Sequence, residues 1–342
     1  MRTVPAMTAP GEPTAPTVDV VGVGNALVDI LVHTPDELVA SLGLTRGEMN
    51  LVDEARQAEI YAAVDAGVEA SGGSAANTMV AVTSLGGTAA YIGRVRDDQL
   101  GRVFAHDLRA TGVAYDTPLA THGPATGSCL VLVAPDAERT MNTFLGASTL
   151  LGPEHVDPAV ISSGRVVYLE GYLFDPPLAQ EAFQVAAGIA HAAGREVALT
   201  LSDSFCVERH RDAFVEMLDD HVDILFANES EARSLTRTDT FGDACAALAG
   251  RATIVVVTRS EAGAVALTAD GTVSVPAVPV EVLDTTGAGD AFAAGFIVGH
   301  TRGLGAETSL RLGAIAAAEV IGHLGPRPVA ELAELAATLL GS

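Results

Sequence analysis

The sequence predicts an α/β protein: a three-layer α/β/α core on a mostly parallel sheet, with a small β-sheet lid. Three observations carry this. From Val166 onward, apolar strand-like runs alternate with helical patterns: VVYLEG, a helix around Leu178 to Ala193, VALTLS, a helix from about Arg209, then DILFAN. Alternation of this kind argues for parallel strands with helices on both faces. Val18 to Gly24 (VDVVGVG) is an apolar run closed by glycines, as a buried first strand would be. Between Thr111 and Thr143 the texture changes to short alternating segments, VAYDT, GSCLVLVAP and ERTMNTF, which fit hairpins better than βα units.

Taken in order, residues 1–17 are rich in Pro, Thr and Ala without an apolar stretch, and read as a disordered leader. Val52 to Ala70 reads as a helix. Gly72 and Gly73 then make a turn, Ser74 is placed to cap, and Ala75 to Leu85 forms a helix of small residues. Ala89 to Gly93 is a strand, and the stretch from Arg94 leads into another helix. Thr253 to Thr258 is a buried strand, and Ala264 to Val275 a hairpin around Asp270-Gly271. Ser309 to Leu324 and Val329 to Leu340 supply two alanine-rich helices near the end. The core is therefore expected from 18–29, 52–110 and 146–342, and the lid from 30–51 and 111–145.

Composition excludes several functions. The 342 residues carry 19 basic and 43 acidic side chains, a net charge of −24 that repels nucleic acid and anionic lipid. Hydrophobic residues make up 49% of the chain, yet no apolar run is long enough to span a bilayer, so a cytoplasmic protein is expected. Cys129, Cys206 and Cys245 are odd in number and lack zinc spacing; buried thiols are the expectation. Every basic residue is arginine. Without lysine there is neither a P-loop nor a protein-kinase strand lysine, so any phosphate chemistry must use backbone amides, arginine and Mg²⁺.

Asp284 to Phe296, DTTGAGDAFAAGF, is the most informative stretch. Gly287, Ala288 and Gly289 precede Asp290 and an apolar run with helical spacing, so a loop opens into a helix. The first amides of a helix lack internal partners and sit at the positive end of its dipole, a natural seat for phosphate. Asp290, in the first turn, could take a proton from an attacking hydroxyl, or simply cap the helix. Upstream, Gly22-x-Gly24 lacks the third glycine of a dinucleotide fingerprint because Leu27 stands there, which argues against an NAD-dependent oxidoreductase. Asn25 and Asp29 could hold vicinal sugar hydroxyls or cap a turn. Asn228 and Glu231, in NESE after DILFA, could hold a hydrated Mg²⁺ or form a capping box.

Asp284, Thr285, Gly287, Ala288, Gly289, Asp290, Ala291, Phe292, Gly295 and Phe296 spell DTxGAGDAFxxGF, which resembles the signature of the ribokinase-like (PfkB-type) sugar and nucleoside kinases. SGGSAANT resembles the family's second signature, GGxxxN, and NESE its metal-associated NxxE. GNALVDI, DILFANESEA and the spacing to SGGSAANT resemble the adenosine kinase branch, and the likeness spans roughly residues 18 to 330.

The resemblance implies a ribokinase-like fold and transfer of the γ-phosphoryl group of ATP, with Mg²⁺, to the 5′-hydroxyl of a purine nucleoside, adenosine first. It gives Asp290 the role of base and Gly287, Ala288 and Gly289 that of the anion cradle. Asn25, Asp29, Gly72, Gly73 and Asn77 would meet the ribose, Cys129 would be an apolar lid contact, and Tyr172, Phe174 and Phe205 are candidates to stack on the base. Arg139, Asn228, Thr258 and Thr285 would lie near ATP, Glu231 would reach Mg²⁺ through water, and a K⁺ site near the loop before Asp284 is allowed. A sugar kinase acting on ribose, fructose or a sugar acid is the alternative, followed by a non-catalytic nucleoside sensor. Beyond the nucleoside or sugar, no nucleic acid or membrane partner is expected, and the protein would be a monomer or homodimer.

Overall fold

A computed structural model describes residues 15–135 and 138–341. Among the described residues, thirteen strands form two sheets: β1 Val18–Val23, β2 Leu27–His33, β3 Met49–Leu51, β4 Val68–Gly72, β5 Ala89–Ile92, β6 Thr126–Val133, β7 Arg139–Gly146, β8 Gly164–Glu170, β9 Glu196–Thr200, β10 Ile224–Asn228, β11 Ile254–Thr258, β12 Ala264–Thr268 and β13 Gly271–Val275. The larger sheet has eight strands in the order β13-β12-β11-β10-β9-β8-β1-β5. It is parallel from β5 to β11, and only the β12–β13 hairpin at one edge runs antiparallel.

Alternation along the strands divides the core in two. Val20, Tyr168, Phe226 and Val256 point to one face, where the helices Ser74–Ser84, Ala288–Thr301 and Gly305–Ile321 cover them. Val21, Val167, Leu225 and Val257 point to the other, under the helices Pro177–Ala192, Ser204–His221 and Glu229–Thr236. Residues i and i+2 share a face of a strand, so a run buried on both faces must be apolar throughout, as residues 20–23 are; Asp19 precedes them where burial is only partial. This is the ribokinase-like three-layer arrangement.

The smaller sheet runs β3-β7-β6-β2-β4. Val28, Ile30 and Leu130 enter the main core on one face, whereas Asp29, Leu31, Cys129 and Val131 face a cavity on the other. Register sets Asp29 opposite Cys129, and Cys129 opposite Thr143.

Several local expectations change. The helix expected over 52–70 covers only Glu54–Ala63, started by Asp53, whose side chain accepts the Arg56 amide at 2.8 Å. After it, Val68–Gly72 is a strand paired antiparallel with β2, so the small sheet takes a strand from within 52–110, a segment expected to belong to the core. The helix expected from Arg209 begins at Ser204, because Asp203 caps it through the Cys206 amide at 2.6 Å. The cap of the helix after the double glycine is Gly73, at φ 103°, rather than Ser74. Most of the expected leader, residues 1–14, lies outside the described residues, and Thr17 donates its amide to the Ser163 carbonyl at 2.8 Å. Among the described residues no helix is long and apolar enough to cross a membrane.

Candidate active site

The carboxyl ends of parallel strands open onto a crevice where strand order changes direction, the usual ligand position in such sheets. Here β1 pairs with β5 on one side and β8 on the other. Asn25 after β1, Glu170 ending β8, Thr200 ending β9, Asn228 ending β10 and Thr258 ending β11 all line one cavity of about 1000 Å³, which the small sheet walls on its other side.

Gly287, Ala288, Gly289 and Asp290 line this cavity as well. Gly287 adopts φ 79°, and a β-carbon there would collide with the Pro326 carbonyl, so only glycine fits the bend. The bend is braced by Asp284. Its Oδ1 accepts the Thr286 amide at 3.0 Å and hydroxyl at 2.7 Å, and its Oδ2 accepts the Gly325 amide at 2.8 Å. Arg139 adds a 2.8 Å ion pair to the same oxygen, with both side chains 8% exposed. The guanidinium Nε and Nη2 of Arg139 are buried without a hydrogen-bond partner among the described residues, and the residue lines the cavity.

Asp290 stands in the first turn of the helix Ala288–Thr301 and accepts the Ser74 hydroxyl at 2.6 Å. Burial pushes its carboxyl up to about 7; the Ser74 and Asn77 hydrogen bonds oppose this, and the charges of Glu170 and Asp29 add to it. Ionising Asp290 therefore costs folding free energy above about pH 7, a cost that fades as pH falls toward the unfolded value of 3.8. Asp290→Asn is accordingly expected to raise Tm at pH 8, with the gain shrinking at lower pH, as thermal melts across pH would show.

Asp29 projects from β2, and burial raises it to about 6 against the pull of Arg327 and Arg139. Gly72 does not line the cavity; a β-carbon there would run into the Asp29 carboxylate, so its role is to make room. Gly73 and Asn77 do line it. Asn25 does too, but its amide is engaged: Nδ2 donates to Glu170 Oε1 at 2.7 Å, and Oδ1 accepts the Ser148 hydroxyl at 2.9 Å. Among the aromatic candidates, Tyr172 and Phe205 reach the cavity. Phe174 does not: it is 2% exposed and stacks on Phe214 with centroids 3.9 Å apart, because the turn after β8 directs it into the core. Cys129 lines the cavity and accepts the Thr143 hydroxyl at 3.3 Å, its thiol raised to about 12 by burial.

Asn228, Glu231, Thr258 and Thr285 line the cavity too. Asn228 and Glu231 form a capping box: Asn228 N and Nδ2 donate to the two Glu231 oxygens at 2.9 and 2.5 Å, and the Glu231 amide returns to Asn228 Oδ1 at 2.9 Å. Burial raises Glu231 to about 7, with Asp203 adding to the shift. Among the described residues no group of three or more His, Cys, Asp or Glu could hold a metal by itself. Glu231 and Asp203 would suit a hydrated Mg²⁺ carried by a nucleotide, since that ion keeps several waters and takes few protein ligands.

The sequence motifs passed over Glu170 and Arg327. Glu170 is 1% exposed, accepts the amides of Asn25 at 3.3 Å and Ala75 at 2.9 Å, and is raised to about 7 by burial. A charged residue ending an otherwise apolar parallel strand, as in VVYLE, was the available signal. Arg327 carried none, lying in a loop outside every motif.

A helix start with a half-buried carboxylate in its first turn, opening on a crevice lined by arginine, suits a phosphotransferase acting on an alcohol group. Comparisons with known proteins agree. A profile described as pfkB family carbohydrate kinase matches residues 36–332, and the chain belongs to that family. It resembles the solved adenosine kinase of Sinorhizobium meliloti at 47% identity and TM-score 0.87, covering 95% of this chain and all of that one. A probable sugar kinase protein from Rhizobium etli is 47% identical at TM-score 0.88, over 95% of this chain and 99% of that one. The adenosine kinase of Saccharomyces cerevisiae is 28% identical over 335 residues, 91% of this chain and 96% of the relative. Within the family, the chain sides with the adenosine kinase-like branch.

Proposed function

We propose that the chain transfers the γ-phosphoryl group of ATP to the 5′-hydroxyl of a purine nucleoside, adenosine first. The observation that carries this reading is the character of the acceptor half of the cavity. Asp29 stands there among Leu31, Val131 and Met141, and the same cavity is lined by exposed apolar side chains: Met49 is 45%, Leu51 55% and Phe205 72% exposed. A free sugar would need hydroxyl partners on every side, whereas a flat base rewards apolar walls with burial.

In this reading Asp29 accepts two ring hydroxyls, and Tyr172 and Phe205 flank the base. Asp290 takes the proton of the 5′-hydroxyl as its oxygen bonds to the γ-phosphorus; the bond from that phosphorus to the β–γ bridging oxygen breaks, and ADP leaves. The amides of Gly289 and Asp290 and the free donors of Arg139 stabilise charge on the moving group, the term that dominates phosphoryl transfer. Thr258 and Asn228 border the nucleotide, and Thr285 lies beside its phosphates. Glu231, with Asp203 next to it, would hold Mg²⁺ through water, and the ion would neutralise triphosphate charge. The two segments of the small sheet nearest the cavity would act as a lid that excludes water.

Because the base must be ionised to accept a proton, kcat/KM for the alcohol should rise from the acid side with an apparent pKa near 7 and level off above it. Below that point activity should fall about tenfold per pH unit. The substrate assignment is tested by incubating equal concentrations of adenosine, ribose and fructose with ATP and Mg²⁺ and identifying products by mass spectrometry. AMP as the main product supports it; a sugar phosphate without AMP overturns it in favour of the sugar kinase alternative.

A further inference from the structure

Arg327 lies in the loop after the helix Gly305–Ile321 and belongs to no motif. Three of its nitrogens donate to three separate elements. Nε reaches Asn77 Oδ1 at 3.0 Å, Nη1 reaches Asp107 Oδ2 at 3.0 Å, and Nη2 reaches the Ser71 hydroxyl at 2.7 Å. The side chain is 16% exposed. Asp107, from the helix Gln99–Ala110, also accepts the Ser71 amide at 2.8 Å and hydroxyl at 2.5 Å. One guanidinium therefore ties the C-terminal loop to β4 of the small sheet and to two helices of the core.

The contact with Asn77 has a chemical consequence. A guanidinium has five donors and no acceptor, so the Asn77 atom facing it must be the amide oxygen. The amide NH₂ is then turned away from the guanidinium; Ser74, three residues earlier on the same helix, donates to Asp290 at 2.6 Å, and Asn77 favours the Asp290 carboxylate from the same helix face. An unrestrained carboxamide can turn over, and would then set oxygen against carboxylate.

We propose that Arg327 is a positioning residue for phosphoryl transfer: it locks the Asn77 amide so that the NH₂ faces Asp290 and favours the ionised carboxylate. The proposal rests on Asp290 as the base. The groups around Asp290 are Ser74 and Asn77 from the helix Ser74–Ser84, Glu170 and Tyr168 from β8, Tyr172 just after it, and Asp29 from β2. Ser74 and Asn77 favour the charged form, and Glu170 and Asp29 oppose it. Arg327 strengthens the favourable side through Asn77, and this contact outweighs the smaller opposing effect of its charge, which favours ionised Asp29.

The test is the pH profile of kcat/KM for the full chain as wild type, R327Q, N77A and the double variant. In R327Q the acid limb should move up by about one pH unit, the size of one hydrogen bond to a charged group. The KM for ATP should stay unchanged. N77A should move the limb equally, and the double variant no further than either single one. A uniform loss of activity at every pH with the limb unmoved would overturn the proposal, as would shifts that add in the double variant. Should R327Q fail to fold, D107N, which loosens the guanidinium without removing it, should move the limb in the same direction by less; an unmoved limb there counts against the proposal. The two readings fail separately: turnover retained by D290N would remove the base itself, whatever R327Q does.

Discussion

Replacing Asp290 by asparagine should lower kcat by about 10³-fold, within the range that a positioned general base contributes. Asparagine keeps the shape and can still accept the Ser74 hydroxyl, now 2.6 Å from the carboxylate, so the helix start and the Gly287 bend should persist. Affinity for the nucleoside should change by less than about threefold, as when an interaction made only in the transition state is removed. Single-turnover kinetics give the first quantity and titration calorimetry the second. If the variant turns over at the wild-type rate, proton abstraction belongs to another group. If both quantities collapse together with Tm, the residue is a structural cap.

The second large effect concerns the acceptor. Asp29→Ala should raise the KM for the alcohol by about 10²-fold, because two hydroxyls lose a charged acceptor and each such bond is worth about 1.5 kcal/mol or more. The KM for ATP should hold, since Asn228 and Thr258 lie at the far end of the cavity. Gly72→Ala should reproduce much of the loss without touching the cavity, because its methyl group would occupy the space of the Asp29 carboxylate. A double variant no worse than Asp29→Ala would show that both act on one contact. A KM shift below about threefold in Asp29→Ala would place the ring hydroxyls elsewhere.

The parts of the fold that were legible in the sequence share one property: local pattern and tertiary role agree. The middles of the strands VDVVGV, DILFAN and TIVVVT are apolar on both faces because both faces are covered, and the hairpin at Asp270-Gly271 follows from its turn. Val68–Gly72 was not legible, because VEASG has little apolar alternation and becomes a strand only by pairing with β2. In the site, Asp290, Asp29 and the glycine bend were readable because one motif carries each. Phe174 was not separable from Tyr172, since a single 3-10 turn sends one aromatic to the cavity and the other to Phe214. Asn25 was readable as a site residue but not as one whose amide is committed to Glu170 and Ser148. Arg327 joins residues about 250 positions away, and no local pattern encodes such a contact.

Buried carboxylates give the cavity its chemical character. Asp29, Glu170, Glu231 and Asp290 are all raised, each chiefly by burial, and all four line the same space. Carboxyls raised in this way keep their protons closer to neutrality than free ones do, and cations bound beside them would favour the ionised forms. The free donors of Arg139 and a Mg²⁺ delivered with the nucleotide would supply positive charge at that point, coupling nucleotide binding to ionisation of the base.

The account is tested most directly by a crystal structure of the protein with adenosine and a non-hydrolysable ATP analogue. It predicts the 5′-oxygen within hydrogen-bond reach of the Asp290 carboxylate, the ribose hydroxyls on Asp29, and the terminal phosphate against the amides of Gly289 and Asp290. A nucleoside bound with its 5′-oxygen turned away from Asp290, or phosphates seated away from the glycine bend, would contradict it.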